Sequence, residues 1–319
     1  MKKRIWILIV CLLLLVVSFF LWAPVHFGIK KEIIIRVPIY NVSGKITNLR
    51  NWKQWYPALK NTDTSSFIYS SITNQNNSFL QAGDHLYTII NINPAYILVK
   101  DEAKNGKKDY HSLYAFPDSM GAVTRVSWIK SVSPFNWLKE LIHPDQNMKD
   151  GLNNLKKTLE DPTEFYGFPI AIGPVTDTIV ATKKTVVKEV DKIATLRRLY
   201  MEINQFAKEN NIVSGNVRIA NFSFESPGNL KISAGIPVTK KGPEKNGITY
   251  LEMPRGGKML IGQYEGPYSG LTKLYTAMEK YITDKQLHKV ALQYEKYLTD
   301  PLSADDSLHM KIEIYYPIY

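Results

Sequence analysis

"ALQYEKYLTDP" spans residues 291–301 and sets Glu295 in a β-rich run between Tyr294 and Tyr297. Its composition and spacing predict a strand. Two readings of Glu295 follow. An exposed strand glutamate points to water and pairs with a lysine such as Lys296 or Lys311. A buried one lies at the floor of an aromatic pocket and faces a cation or a proton that moves. Upstream, "GQYEGPYSGL" (262–271) carries Gly262, Gly266 and Pro267 where a strand must bend sharply into a helix. Tyr268, in that turn, is either a first-turn packing residue or a pocket wall. Tyr264 lies on the strand before it and could face either way.

Working outward, two segments echo each other. "LYMEINQFAKENNI", from Leu199, matches "LYTAMEKYITDKQL", from Leu274, in its apolar positions. Each follows a strand, "DTIVATKKTVV" or "GKMLIGQYEG". Each precedes two more, "VRIANFSFES" and "LKISAGIPV" in the first copy, "ALQYEKYLTD" and "LHMKIEIYYPI" in the second. The pattern predicts a strand–helix–strand–strand unit repeated at an offset of about 75 residues. Asn221 falls near the position matching Glu295, so the charge is not duplicated. A one-sided charge suits a binding site better than a structural ion pair.

Taken together, GPY-x-x-L, a helix, E-x-Y-x-x-D-P and a closing strand with a late proline resemble the GyrI-like, AraC-type effector-binding domain over residues 171–319. The resemblance implies a small-molecule groove between two pseudo-symmetric halves. Glu295 would lie at its centre, with Tyr297 as strand partner and Tyr268 as turn tyrosine. It also implies relatives of two kinds, multidrug-sensing regulators and hydrolases of cyclopropane-containing compounds.

The preceding half opens with "KEIIIRVPIY" (31–40), read as a strand. "NVSGKITNLRNWKQWYPAL" then spaces Val42, Ile46, Leu49 and Trp52 as a helix face up to Pro57. Residues 67–130 read as an antiparallel meander. In "NMKDGLNNLKKTLE", Met148, Leu152, Leu155 and Leu159 line one helix face. Trp52 and Trp55 read as core residues. With W-x-x-W-x-P and the final helix, residues 30–160 resemble the START-like, polyketide-cyclase (SRPBCC) superfamily, whose helix-grip fold implies an apolar cavity for lipids or other hydrophobic molecules. Residues 161–170, "DPTEFYGFPI", read as the linker.

The start, "MKKRIWILIVCLLLLVVSFFLWAP", places three cations before an apolar run from Ile5 to Ala23. At 1.5 Å per residue the run reaches roughly 28 Å, enough to cross a bilayer's hydrocarbon core. Trp6 and Trp22 stand where an interfacial belt would put them. Bulky Phe20, Leu21 and Trp22 argue against signal cleavage. Residues 1–29 are therefore expected to form an uncleaved transmembrane anchor, N-terminus cytoplasmic, with the domains outside the cytoplasm. Cys11 is the only cysteine, so the domains hold neither a disulfide nor a thiolate metal site.

The formal charge of +11 is scattered as single lysines and pairs such as Lys107-Lys108 and Lys240-Lys241. A stripe with interleaved aromatics is missing, which argues against nucleic acid as partner. No two of the six histidines stand four apart, and phosphate-loop, dinucleotide and nucleophile-elbow motifs are absent, so no metal or cofactor is expected. His288 lies in a loop close in sequence to the Glu295 strand. The expected fold class is α+β: a transmembrane helix, a helix-grip domain and a duplicated β-α-β-β domain. The expected function is a membrane-anchored sensor or carrier of hydrophobic or cationic ligands, with Glu295, Tyr297, Tyr268 and Tyr264 at its site. The alternatives are an interaction module of an envelope complex, and a hydrolase in which Glu295 activates water.

Overall fold

The computed structural model describes residues 5, 6, 9–12, 14, 15, 17, 18 and 27–319, apart from 61, 72, 73, 119, 143, 145, 254, 255 and 300–308. The chain is α+β, with two antiparallel sheets in two compact units, Met1–Asp161 and Pro162–Tyr319. The expected anchor lies partly outside the described residues. Those described between residues 5 and 18 are helical, and their apolar side chains from Ile5 to Val17 are exposed. Among the described residues no helix is long and apolar enough to cross a membrane.

In the first unit β1 (Phe27–Ile35) starts within the stretch read as anchor and stops before Pro38. Proline cannot donate to a ladder. It instead occupies the N-cap of α1 (Ile39–Ile46), so Ile39 and Tyr40 are helical and not the end of a strand. The helical spacing expected up to Pro57 is carried by short helices with breaks between them. Asn48 accepts a hydrogen bond from the Arg50 N–H and so starts α2 (Leu49–Trp52) anew, while α3 (Pro57–Lys60) begins on the proline. The meander then runs through β2 (Ile68–Tyr69), β3 (Phe79–Ala82), β4 (His85–Asn93), β5 (Tyr96–Ala103), β6 (Lys108–Pro117) and β7 (Thr124–Val132). With β1 closing on β7, the sheet order is β1-β7-β6-β5-β4-β3-β2.

Helices α4 (Pro134–Ile142) and α5 (Gln146–Glu160) end the unit. Met148, Leu152, Leu155 and Leu159 of α5 are buried as their spacing predicts, and α5 lies against β1, β7 and α3. Beneath it Trp52, Trp55, Tyr56, Tyr87 and Trp128 form one aromatic cluster, all buried. Trp55 meets Trp128 edge-on at 5.8 Å between centroids. Both tryptophans of W-x-x-W are thus core residues.

The second unit begins inside the stretch read as a linker. Residues Pro162–Tyr166 form α6 and Ile170–Pro174 form β8. Tyr166 donates to the buried Asp284 carboxylate at 2.8 Å, which docks α6 on the unit. The rest follows as β9 (Ile179–Lys188), α7 (Lys192–Glu209), β10 (Arg218–Ser226), β11 (Asn229–Pro237), β12 (Ile248–Glu252), β13 (Lys258–Gly266), α8 (Leu271–Asp284), β14 (Tyr294–Tyr297) and β15 (Met310–Ile318). The sheet order is β12-β9-β11-β10-β14-β15-β13-β8, so β10 and β14 pair at its centre.

Alternate residues along each strand face opposite sides. The main core joins one sheet face to Leu196, Leu199, Tyr200 and Ile203 of α7 and to Leu271, Leu274 and Met278 of α8. A smaller cluster that includes Val180, Ile219, Tyr294 and Tyr315 forms separately. Gly262 sets the seat of α8: a Cβ there would lie 2.4 Å from Met278 Sδ and 2.9 Å from Leu274 Cδ1.

Candidate functional site

Glu295 is on the covered face of the central strand β14 and is 2 % exposed. The register puts it opposite Ala220 of β10 and Ile314 of β15. It is not the water-facing strand residue. Lys296, one residue on, faces the other way and pairs with Asp177 at 2.5 Å, while Lys311 pairs with Glu265.

Three phenol hydroxyls converge on the Glu295 carboxylate from three different elements. Tyr297, two residues along the same strand and so on the same face, donates to Oε2 at 2.5 Å. Tyr268, in the turn ahead of α8, donates to both oxygens at 3.1 Å. Tyr275, in the second turn of α8, donates to Oε1 at 3.0 Å. An ionised carboxylate only accepts hydrogen bonds, and a phenol supplies one donor, so the set is chemically matched.

A cation completes the cluster. Lys192, the first residue of α7, places its ammonium nitrogen 3.6 Å from the Phe222 ring centroid and 4.7 Å from that of Tyr268. It donates to the Tyr268 hydroxyl at 2.5 Å. The order is ammonium, phenol, carboxylate. Burial pushes Lys192 below the usual lysine range, and the charges of Glu295 and Glu189 partly offset this.

Burial, reinforced by the charge of Glu295, raises Tyr268, Tyr275 and Tyr297 far above the ordinary phenol range. The unfolded chain's tyrosines ionise near pH 10. A group raised on folding contributes stability that is full below its unfolded pKa and is lost as pH rises above it. The protein is therefore expected to lose stability from about pH 10 upward. Phenolate absorbance of the folded protein should show a late-ionising class that Tyr275→Phe makes smaller by one. Ordinary midpoints for every tyrosine would mean that these hydroxyls are not sealed.

Of the four site residues expected from sequence, the structure brings together Glu295, Tyr297 and Tyr268. Tyr264 belongs elsewhere. It is on β13, which β15 separates from β14, so two strand spacings, about 10 Å, intervene. Its hydroxyl donates to the Pro267 carbonyl at 2.7 Å. A Cβ at Gly266 or Gly270 would run into that hydroxyl, so Tyr264 props the turn that carries Tyr268. Asn221 is next to Ala220, the residue that pairs with Glu295. It is on the other face, donates to the Gln293 carbonyl and helps line a cavity of about 570 Å³ with Lys184, Lys231 and Tyr294. His288 is exposed.

Sequence reasoning missed Tyr275, Lys192 and Phe222. Tyr275 fits the apolar stripe of α8 and reads as core. The one available signal was the Leu-Tyr pair that opens both echoing segments, which aligns Tyr200 with Tyr275. Tyr200 donates to the Ile219 backbone carbonyl, whereas Tyr275 donates to a charge. Among the described residues no group of three or more His, Cys, Asp or Glu could hold a metal ion.

Residues 171–318 match the family model of the GyrI-like small molecule binding domain. The second unit thus carries a GyrI-like small-molecule-binding domain. The crystal structure of the EcmrR C-terminal domain is similar at 17% identity, covering 48% of this chain and 98% of that one, with a TM-score of 0.40. A cryo-EM structure of EcmrR bound to DNA gives 14% identity, 58% and 75% coverage and 0.42. An uncharacterized conserved protein from Listeria innocua gives 14%, 47% and 92%, and 0.37. No curated protein matches the chain.

Proposed function

We propose that the second unit binds hydrophobic or cationic small molecules at Glu295, and that the chain is a membrane-anchored sensor or carrier. One observation carries this reading: a buried carboxylate is ringed by tyrosines, with a cation seated on the adjoining Phe222 ring and hydrogen-bonded to Tyr268. A ring face attracts a cation by about 2 kcal/mol or more when desolvated, and the carboxylate supplies the counter-charge. The GyrI-like match supports a small-molecule ligand. Tyr268, Lys192 and Phe222 are only partly buried, so the ligand's route runs past them. Hydrolysis is less well served, because Glu295 would have to release a phenol before it could take a proton from water.

The anchor would be residues 5–23, with the cationic start on the cytoplasmic side and both domains beyond the membrane. The exposed apolar side chains from Ile5 to Val17 support it. The first unit would be a START-like helix-grip module, a reading supported by the way α5 lies on the sheet.

The test is calorimetric titration of the full chain in detergent with tetraphenylphosphonium, beside Glu295→Gln. The substitution should weaken binding at least tenfold, about 1.4 kcal/mol. Equal affinities in the two proteins would remove Glu295 from the site.

A further inference from the structure

We propose that Lys192 is a tethered occupant of the cation seat at Glu295, so that a free cation binds only by evicting the lysine's ammonium group. The inference rests on the reading of Glu295 as a ligand site and specifies which cations that site accepts.

The ammonium group occupies what a cationic ligand would use. It lies 3.6 Å from the Phe222 ring centroid and 4.7 Å from that of Tyr268. Through the Tyr268 hydroxyl it is hydrogen-bonded in series to both oxygens of Glu295. With one carboxylate and one ammonium the seat is already neutralised. A second cation beside Lys192 would face its charge across rings that are already taken, so binding has to be an exchange.

Lys192 is well placed to leave. It is attached at the first position of α7 by a flexible four-carbon stem, and its residue is only half buried. Burial disfavours its charged form where it now sits. Swung outward, the ammonium would regain water beside Glu189, which is exposed three residues earlier. Glu189 and Glu295 are the two carboxylates whose charges act on it.

Exchange also sets selectivity. A small ammonium ion is compact and strongly hydrated, like the lysine head group itself. It gains nothing on these rings that Lys192 does not already have, and it lacks the advantage of being tethered. A bulky cation with its charge spread over aromatic rings loses little hydration and adds apolar contact, so it can win the exchange. The class assigned to this site is therefore large, delocalised aromatic cations, with small alkylammonium ions excluded by the protein's own lysine.

The experiment titrates the full chain in detergent with tetraphenylphosphonium and with tetramethylammonium, using wild type, Lys192→Gln, Lys192→Ala and Glu295→Gln, with melting curves to verify folding. Emptying the seat should tighten tetraphenylphosphonium binding at least tenfold and admit tetramethylammonium, which wild type should not bind. If both lysine variants bind tetraphenylphosphonium no better than wild type while Glu295→Gln still weakens it, Lys192 is a wall residue. The present inference is then overturned and the ligand site stands. If neither wild type nor the lysine variants bind either cation, both readings fall.

Discussion

Glu295→Ala is expected to destabilise the second unit by about 3–5 kcal/mol, although it removes a charge from a protein interior. The reason is what it leaves behind. Tyr268, Tyr275 and Tyr297 all donate to this carboxylate, and Tyr297 is almost wholly buried. A buried donor stripped of its acceptor costs about 1–3 kcal/mol. Water admitted into the space left by the side chain would satisfy some of the three, which keeps the figure toward the lower end. Against a domain stability of about 5–15 kcal/mol, this is a large fraction.

Glu295→Gln should cost much less, because it keeps the volume and one acceptor oxygen. Its amide N–H₂ can also donate to a phenol oxygen in place of accepting from it. Urea denaturation of the full chain, with hydrogen exchange at β10 and β14 to localise the loss, separates the two variants. Wild-type stability in Glu295→Ala would mean that water already satisfies the phenols and that the site is open and wet. Proposals that rest on a dry, aromatic carboxylate site would then have to be abandoned. A large loss in Ala beside a small one in Gln identifies hydrogen bonding as the stabilising term and not the charge itself.

The same three phenols show where sequence reading succeeds and where it stops. Tyr297 was named as the strand partner by the family resemblance, and a spacing of two along a strand puts it on the same face. Tyr268 was singled out by the family resemblance, because the Gly-Pro turn alone left it either a first-turn packing residue or a pocket wall. Tyr275 was hidden, since a helical tyrosine in an apolar stripe looks the same whether its hydroxyl ends in a core or on a carboxylate. That Tyr264 stands apart from the Glu295 cluster was not legible, because local pattern gives the face of a strand but not its distance from another strand. That distance depends on sheet order, and β15 comes between them only after the chain has closed. Lys192 lies 76 residues from the tyrosine it touches, and only the tertiary fold brings them together. In the first unit the burial of Trp52 and the buried face of α5 followed from periodicity. The breaks at Pro38 and Asn48 did not, because they depend on caps that a hydrophobic stripe overrides on paper.

Trp128→Ala should have an effect of similar size in the first unit, about 3–5 kcal/mol, the range for deleting a large aromatic from a packed core. Trp128 is completely buried. Its ring lies 5.8 Å from Trp55 and 5.5 Å from Tyr56, and its indole N–H donates to His111 Nδ1 at 3.1 Å. The loss thus combines a cavity with a buried acceptor deprived of its donor. Above the ring lies Gly151 of α5. A Cβ there would be 2.6 Å from Trp128 Cζ3 and 3.2 Å from Pro57 Cδ. Gly151→Ala in the wild-type background therefore overpacks a rigid ring and should cost about 1–3 kcal/mol, despite alanine's better helix propensity. With Trp128→Ala the obstacle is gone, and the added methyl should be neutral or mildly stabilising. The two substitutions form a cycle in which neighbours couple, read out by denaturation of the four proteins. Strict additivity would show that α5 does not bear on Trp128. Strong coupling would establish that the closing helix is seated directly on the aromatic core, the contact on which any grip of the sheet by α5 depends.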